Sequence, residues 1–189
     1  MVKAKKRWAK RIAAVALACA LGTGAVGALV GCSPDSKSNS DEMSVAWTSN
    51  AGEYNLDPTN NYMGWQGSYL GIYEQLFRID ANFDSQPMLA ESAEMVNDTT
   101  WKITIREGVT FQNGNELNAQ AVVDCLNRTI SMNERAKKSL DIANMEADGN
   151  VLTVTTNSLN TAFKNELSEP VASIIDVNSG AAEEEPVGT

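Results

Sequence analysis

SAEMVNDTTWKITIREGVTFQNGNELNAQAVVDCLNRTI, residues 92–130, changes period partway along, and that change decides the fold. Trp101-Lys102-Ile103-Thr104-Ile105-Arg106 alternates apolar and polar residues. Period two is a half-buried strand, with Trp101, Ile103 and Ile105 on one face. Asn97-Asp98 is turn chemistry, so Ala93 to Val96 is predicted to pair back as the other arm of a hairpin. Gly108 breaks the run, and Gln112-Asn113-Gly114-Asn115 is a second turn because Asn-Gly readily takes positive φ. From Ala119 the period becomes helical. Val122, Val123, Leu126 and Ile130 share a face, and Asn118 is placed to cap the first turn.

These residues also resemble a signature. Ile105-Arg106-Glu107-Gly108-Val109-Thr110-Phe111-Gln112-Asn113-Gly114, followed by Leu117-Asn118-Ala119-Gln120-Ala121-Val122, is similar to Leu-Arg-x-Gly-Val-x-Phe-His-Asp-Gly followed by Leu-Thr-Ala-x-Asp-Val. That pattern belongs to the solute-binding proteins of ABC importers, in the group (family 5) that takes up oligopeptides, dipeptides and nickel. Gln112 stands for the usual His, Asn113 for Asp, Asn118 for Thr and Ala121 for Asp. Asn118 keeps the capping role and Asn113 the turn role, so the mechanics survive. A separate stretch, Pro87-Met88-Leu89-Ala90-Glu91-Ser92, resembles the family's Pro-x-Leu-Ala-Glu-Ser, and Tyr73-Glu74-Gln75-Leu76 its Tyr-Glu-x-Leu. The resemblance covers about residues 43–189, the leading third or so of a family member. It implies an α/β (mixed α+β) fold, the N-terminal lobe of a two-lobed periplasmic-binding-protein-like architecture. Pro186-Val187-Gly188-Thr189 looks like the first half of the family's Pro-Val-Gly-Thr-Gly-Pro-Tyr, so the lobe is expected to be incomplete in these 189 residues.

Charge is distributed unevenly. Of 15 Lys and Arg, six (Lys3, Lys5, Lys6, Arg7, Lys10, Arg11) precede residue 12, where no acid occurs. The rest of the chain therefore sets nine basic residues against all 24 acidic ones, a body that repels polyanions, so no nucleic acid partner is expected. The chain has no histidine, which removes the commonest general base and the commonest metal ligand.

The cationic start and the uncharged Ala- and Gly-rich run from Ile12 to Val30 read as an export signal. Leu29-Val30-Gly31-Cys32 resembles the lipobox of bacterial lipoproteins, whose Cys is diacylated and becomes the new N-terminus. Residues 1–31 are thus predicted to be a lipoprotein signal peptide, with Cys32 the lipidation site. Residues 32–42 are the lipidated Cys and a polar tether without hydrophobic period, and 43–189 the domain. The location implied is the outer face of the bacterial cytoplasmic membrane, held there by lipid. Cys19 falls within the signal, leaving Cys125 as a small buried hydrophobe.

Along the domain, Met43 to Trp47 reads as a first strand, and a helix is predicted from near Met63 to about Leu76. Phe77-Arg78-Ile79 reads as a strand, with a turn at Asn82 and Asp84. The segment from Asn133 to Ser139 reads as charged and exposed. Ile142–Glu146 and Val151–Thr155 read as strands about Asp148-Gly149-Asn150. Thr161 is expected to cap a short helix through Leu167 that ends at Glu169-Pro170, and Ser173 to Val177 to form a last strand. Antiparallel and mixed pairing are both expected. Glu183-Glu184-Glu185 reads as a solvated charge run.

Catalysis finds no motif: there is no His for a triad, no Gly-x-Ser-x-Gly and no P-loop. Gly22-Thr23-Gly24-Ala25-Val26-Gly27 fits a dinucleotide pattern but lies in the export signal. Asp141 and Glu146 have nothing to raise either pKa. No enzyme activity, cofactor or metal site is expected. The resemblance implies instead capture of peptides or a related small solute, with an ABC permease and ATPase as partners. It brings the segment after an Asp-Pro step, here Leu56-Asp57-Pro58, to the ligand cleft. Carried over, the candidate ligand-binding residues are Asn61, Tyr62, Met63, Gly64, Trp65 and Gln66. Tyr62 and Trp65 could stack on an apolar side chain, and Asn61 and Gln66 could hydrogen-bond a peptide backbone. The plain alternative is loop and helix-start residues with Trp65 in the core. Nickel or an opine-type solute is the alternative ligand, since residues 133–144 faintly resemble that branch. A surface lipoprotein without transport function is the reading from a different class.

Overall fold

The computed structural model describes residues 55–180 and 186–189, with residues 61–63 described by their backbone alone. The expected export signal, Cys32, the tether, the Met43–Trp47 strand and the Glu183–Glu185 run lie outside the described residues. The described residues all belong to one unit, spanning Ser49–Thr189. Their elements run helix α1 (Asn61–Tyr69), strands β1 (Phe77–Ile79), β2 (Ser85–Pro87), β3 (Ala90–Asn97) and β4 (Thr100–Ile105), then helices α2 (Ala119–Met132) and α3 (Glu134–Leu140). Strands β5 (Ile142–Asp148) and β6 (Val151–Thr156) follow, then a short helix α4 (Phe163–Glu166) and a 3-10 turn at Pro170–Ala172.

The alternating stretch is the spine. β4 pairs antiparallel with β3 on one side and with β6 on the other, and β5 closes the order β3-β4-β6-β5. The register sets Ile103 opposite Ala93 and Leu152, and Trp101 opposite Met95 and Val154. One face is therefore apolar, and Trp101, Ile103, Ile105, Leu152 and Val154 are all buried there. Helix α2 packs against β5 and β6 with Val122, Val123, Cys125 and Leu126 buried. Removing side chains of this size from water contributes about 1.5–3 kcal/mol each. The Asn118 cap forms as its sequence position predicts: its Oδ1 accepts from the Ala121 N–H at 3.0 Å. The Cys125 thiol lies between the Ile175 N–H and the Ser173 carbonyl, and burial pushes its pKa up to about 11, so it is an inert core group. The Trp101 and Phe163 rings pack with centroids 6.0 Å apart.

Several expectations need correction. The first helix stops at Tyr69 rather than near Leu76. Gly71 takes φ +72°, the Gly71 N–H bonds the Ser68 carbonyl and the Ile72 N–H bonds the Gly67 carbonyl. That is a Schellman ending, which the glycine permits. Residues 133–139 are exposed at Glu134, Arg135, Lys137 and Lys138, as expected, but they belong to a helix with a buried side. Asn133 caps α3 by accepting the Ala136 N–H at 3.0 Å, and Ala136 and Leu140 are buried beneath the charged face. Thr161 does not cap α4: the cap position is Ala162, and Asn160 Oδ1 accepts the Ala162 N–H instead. Ser173–Val177 makes one bridge, Ile174 to Glu74, rather than a strand. The Glu74 segment leaves after that single pair, because Gln75 and Leu76 give their carbonyls to Met88, Leu89 and Ala90. Every strand pairing among the described residues is antiparallel; none is mixed.

The Gln112–Asn115 turn forms, with Gly114 at φ +87°. One of its departures from the family pattern, Asn113, gains a physical reason. Asn113 Nδ2 and Asn115 Nδ2 both donate to Asp176 Oδ2, at 2.8 and 2.7 Å. Burial alone would raise the Asp176 pKa, but these two donors and the Asn178 N–H hold it below the usual range. An Asp at 113 would set a carboxylate against this one. Asn113→Asp is expected to destabilise the chain by about 1–3 kcal/mol at neutral pH. The loss should shrink as pH falls below about 4 and one carboxyl takes up a proton, which urea unfolding at pH 7 and pH 3.5 would check.

Candidate functional site

The segment that carries the candidate residues is held in place by α2 and α3. Asp57 opens it with an Asx turn: Oδ1 accepts the Thr59 N–H at 2.9 Å and the Thr59 hydroxyl at 2.8 Å, and the Asp57 carbonyl accepts the Asn60 N–H at 2.8 Å. Arg128, on α2, grips the same carboxylate with both guanidinium nitrogens, Nη1 at 3.0 Å from Oδ1 and Nη2 against Oδ2. The Asp57 side chain is 3% exposed. Burial would raise its pKa. The Arg128 hydrogen bonds, the two Thr59 donors and the Arg128 charge outweigh that and hold it below the ordinary value. Asn133, the α3 cap, reaches back with Nδ2 to the Thr59 carbonyl at 2.9 Å.

Helix α1 then runs across this support. At Gly64 a Cβ would collide with the Asp57 carbonyl, and at Gly67 with the Tyr73 ring, so glycine is needed at both for the backbone to come this close. The Tyr73 hydroxyl is shared between the carbonyls of Leu56 and Gly64. Gln75 Nε2 ties Ser68 to Ser173. Gly64 is thus a packing position within the candidate set. Trp65 is half-buried, packs against the core, and carries the Arg135 guanidinium over its ring at 5.2 Å from the centroid. Arg135 also faces Glu169 at 3.7 Å, an exposed pair that contributes little. Gln66 is 2% exposed, and neither of its amide atoms has a hydrogen-bond partner; the Trp65 indole N–H is likewise buried without one. Asn61, Tyr62 and Met63 lie in the first turn of α1, their side chains outside the described ones.

Sequence reasoning missed the devices that place this segment. Asp57, Arg128 and Asn133 were legible only as a turn residue, a helix residue and part of a charged run, because 71 and 74 residues separate the partners. Elsewhere, Asp141 is held below its ordinary pKa by Ser158 and Asn157. Glu166 is raised by burial, against its Asn160 hydrogen bond. Among the described residues no group of three or more His, Cys, Asp or Glu is placed to hold a metal ion.

The described residues thus form a mixed α/β body with a polar, aromatic segment braced across it by Arg128 and Asn133. Residues 84–189 match the family described as "Bacterial extracellular solute-binding proteins, family 5 Middle", and the chain belongs to that family. The chain is 39% identical to a solved nickel ABC transporter protein from Bacillus halodurans, with a TM-score of 0.68, over 71% of this chain and 28% of that one. It is 32% identical over 121 residues to the nickel-binding protein NikA of Staphylococcus aureus, which is 64% of this chain and 25% of the relative. It is 33% identical over 109 residues to the glutathione-binding protein GsiB of Escherichia coli K12, 55% of this chain and 21% of the relative. The chain thus spans about a quarter of the length of the curated relatives it matches.

Proposed function

We propose that this chain is part of an extracytoplasmic solute-binding lipoprotein of an ABC importer, which captures peptides and hands them to a membrane permease driven by an ATPase. The observation that carries the reading is the family match over residues 84–189, onto which α2 and α3 fasten the candidate segment. The glutathione-binding relative supports a peptide solute, since glutathione is itself a tripeptide. The role is non-catalytic, and Asn61 to Gln66 form one wall of the cleft. The test is uptake: disrupting the gene should abolish import of a radiolabelled tripeptide into the parent cells. Unchanged uptake would overturn the peptide reading.

A second reading is favoured by the nickel-binding relatives. The 189 residues offer no histidine, so here nickel would be held as a complex whose small organic ligands fill most of its coordination sphere. Import of nickel-63 supplied with L-histidine, in place of tripeptide import, would select that reading.

Anchoring rests on the cationic start, the apolar run and Leu29-Val30-Gly31-Cys32. Cys32→Ser should abolish incorporation of labelled palmitate and leave the precursor uncleaved. Normal processing of the variant would remove the anchor from the proposal.

A further inference from the structure

Asn113-Gly114 is the one Asn-Gly pair in the 189 residues, and it sits exposed in the 112–115 turn. Such a pair carries its own reactivity. The backbone nitrogen after an Asn closes a cyclic imide when it attacks the side-chain carbon, and a glycine there puts no Cβ in the way. At Gly114 the space a Cβ would fill is open, and the φ of +87° calls for a glycine in any case. The fold holds every group the reaction needs. The Gly114 N–H donates to the Phe111 carbonyl at 2.8 Å. Asn113 Oδ1 accepts the Asn115 N–H at 3.0 Å, and Asn113 Nδ2 donates to Asp176 Oδ2 at 2.8 Å. The nucleophile and both ends of the carboxamide are therefore engaged. The bond to Asp176 is charge-assisted, which is the stronger kind. Asp176 is itself buried, with the Asn115 amide and the Asn178 N–H as further donors.

We propose that Asn113 is a site of spontaneous deamidation in this chain, with Asp176 as the latch that sets its rate. When the turn opens, the Gly114 nitrogen gives up its proton and attacks Asn113 Cγ. The N–Cγ bond forms, the Cγ–Nδ2 bond breaks, and Nδ2 takes up a proton and leaves as ammonia. Water then opens the imide. Attack at the former side-chain carbonyl gives aspartate, and attack at the backbone carbonyl gives isoaspartate. Nothing is oxidised or reduced, and water is the one co-reactant. Either product undoes the latch. Aspartate sets a second carboxylate against Asp176. Isoaspartate adds a backbone carbon between 113 and 114, so the Phe111 N–H no longer meets the Asn115 carbonyl, now 2.8 Å away. The same turn is tied to two other segments. The Gln112 N–H bonds the Gly188 carbonyl and the Asp176 N–H bonds the Val187 carbonyl, each at 2.8 Å. The modification therefore strikes a junction of the chain.

The test is to hold the chain at mildly alkaline pH for weeks and map residues 107–128, the tryptic fragment between Arg106 and Arg128, by mass. Conversion at Asn113 should run at least about tenfold faster in the urea-unfolded chain than in the folded one. Asp176→Asn should speed the folded chain about tenfold, because the charge-assisted bond is gone. Asp148-Gly149, exposed at the β5–β6 turn, rearranges through the same kind of imide by losing water, and serves as internal reference. Its rate should not change in Asp176→Asn. If both pairs speed up together, the variant has unfolded, and repeating the comparison in sucrose, which favours the folded state, should restore the selective effect at Asn113. The converted fraction, separated by charge, should unfold at lower urea than the fresh chain. A folded chain whose Asn113 stays intact, equal rates in the folded and urea-unfolded chains, acceleration at both pairs that persists in sucrose, slower conversion in Asp176→Asn, or an unchanged urea midpoint after conversion would each overturn the proposal.

Discussion

Titrated with tri- or penta-alanine, the 189-residue chain should bind about a thousandfold more weakly than a chain extended to the length of its relatives. The expectation follows from how a two-walled cleft divides its work. Hydrogen bonds to a peptide backbone come from both walls, and closure excludes water from those bonds, which strengthens each of them. On the proposed function, residues 61–66 give one wall. If the missing contacts are worth about 4 kcal/mol, the dissociation constant rises about a thousandfold. Calorimetry on both chains measures this directly. In the extended chain, Trp65→Ala should weaken binding of peptides with apolar side chains further, through the lost aromatic surface and the lost support for Arg135. Tight binding by the short chain would show that its 189 residues already form a complete cleft.

What the sequence made legible and what it did not divide along one physical line. Residues 92–130 could be read because each signal is local: alternation at Trp101 to Arg106, a cap at Asn118, positive φ at Gly114. The α2 bounds fall at Ala119 and Met132, and the β3–β4 hairpin forms about Asn97-Asp98. The α1 ending was present as Gly71 but outweighed by the resemblance of Tyr73-Glu74-Gln75-Leu76 to the end of a family helix. Helix α3 was hidden because only Ala136 and Leu140 mark its buried face, and four charged residues surround them. Ser173–Val177 has strand composition, yet composition does not reveal whether a partner segment stays alongside. The supports of the candidate segment were least legible of all. A fork from Arg128 to Asp57, or an amide from Asn133 to Thr59, exists only once the fold has joined distant parts of the chain. Gln66 was chosen as a hydrogen-bonding residue from its position. Its burial and its unanswered amide were not legible there.

Arg128→Met should be strongly destabilising. The Asp57 side chain is almost wholly enclosed, and Arg128 is its one cationic partner among the ion pairs of the described residues. Removing one member of such a pair leaves a charge without water or counter-charge, which costs about 3–5 kcal/mol. In a domain of this size that is a fall in melting temperature of roughly 10 °C or more. The pH dependence carries a definite sign. In the native chain the Asp57 pKa lies below its ordinary value of 3.8, so its contribution is fully present above that pH. It is lost as pH falls through the lower, folded-state value. In Arg128→Met burial still raises that pKa while the cation that lowered it is gone. Protonation then relieves the variant, so its deficit against the native chain should narrow as pH falls through the variant's raised pKa toward the lower native one. Arg128→Met combined with Asp57→Asn should recover part of the loss at pH 7, since no buried charge remains. Arg128→Lys should recover less than full stability, because an ammonium keeps the charge but not the two-pronged geometry. Thermal and urea unfolding across pH 3 to 8 would measure all four chains. A deficit in Arg128→Met that stays constant with pH would show that packing of the arginine stem, not the ion pair, fastens α1 to α2.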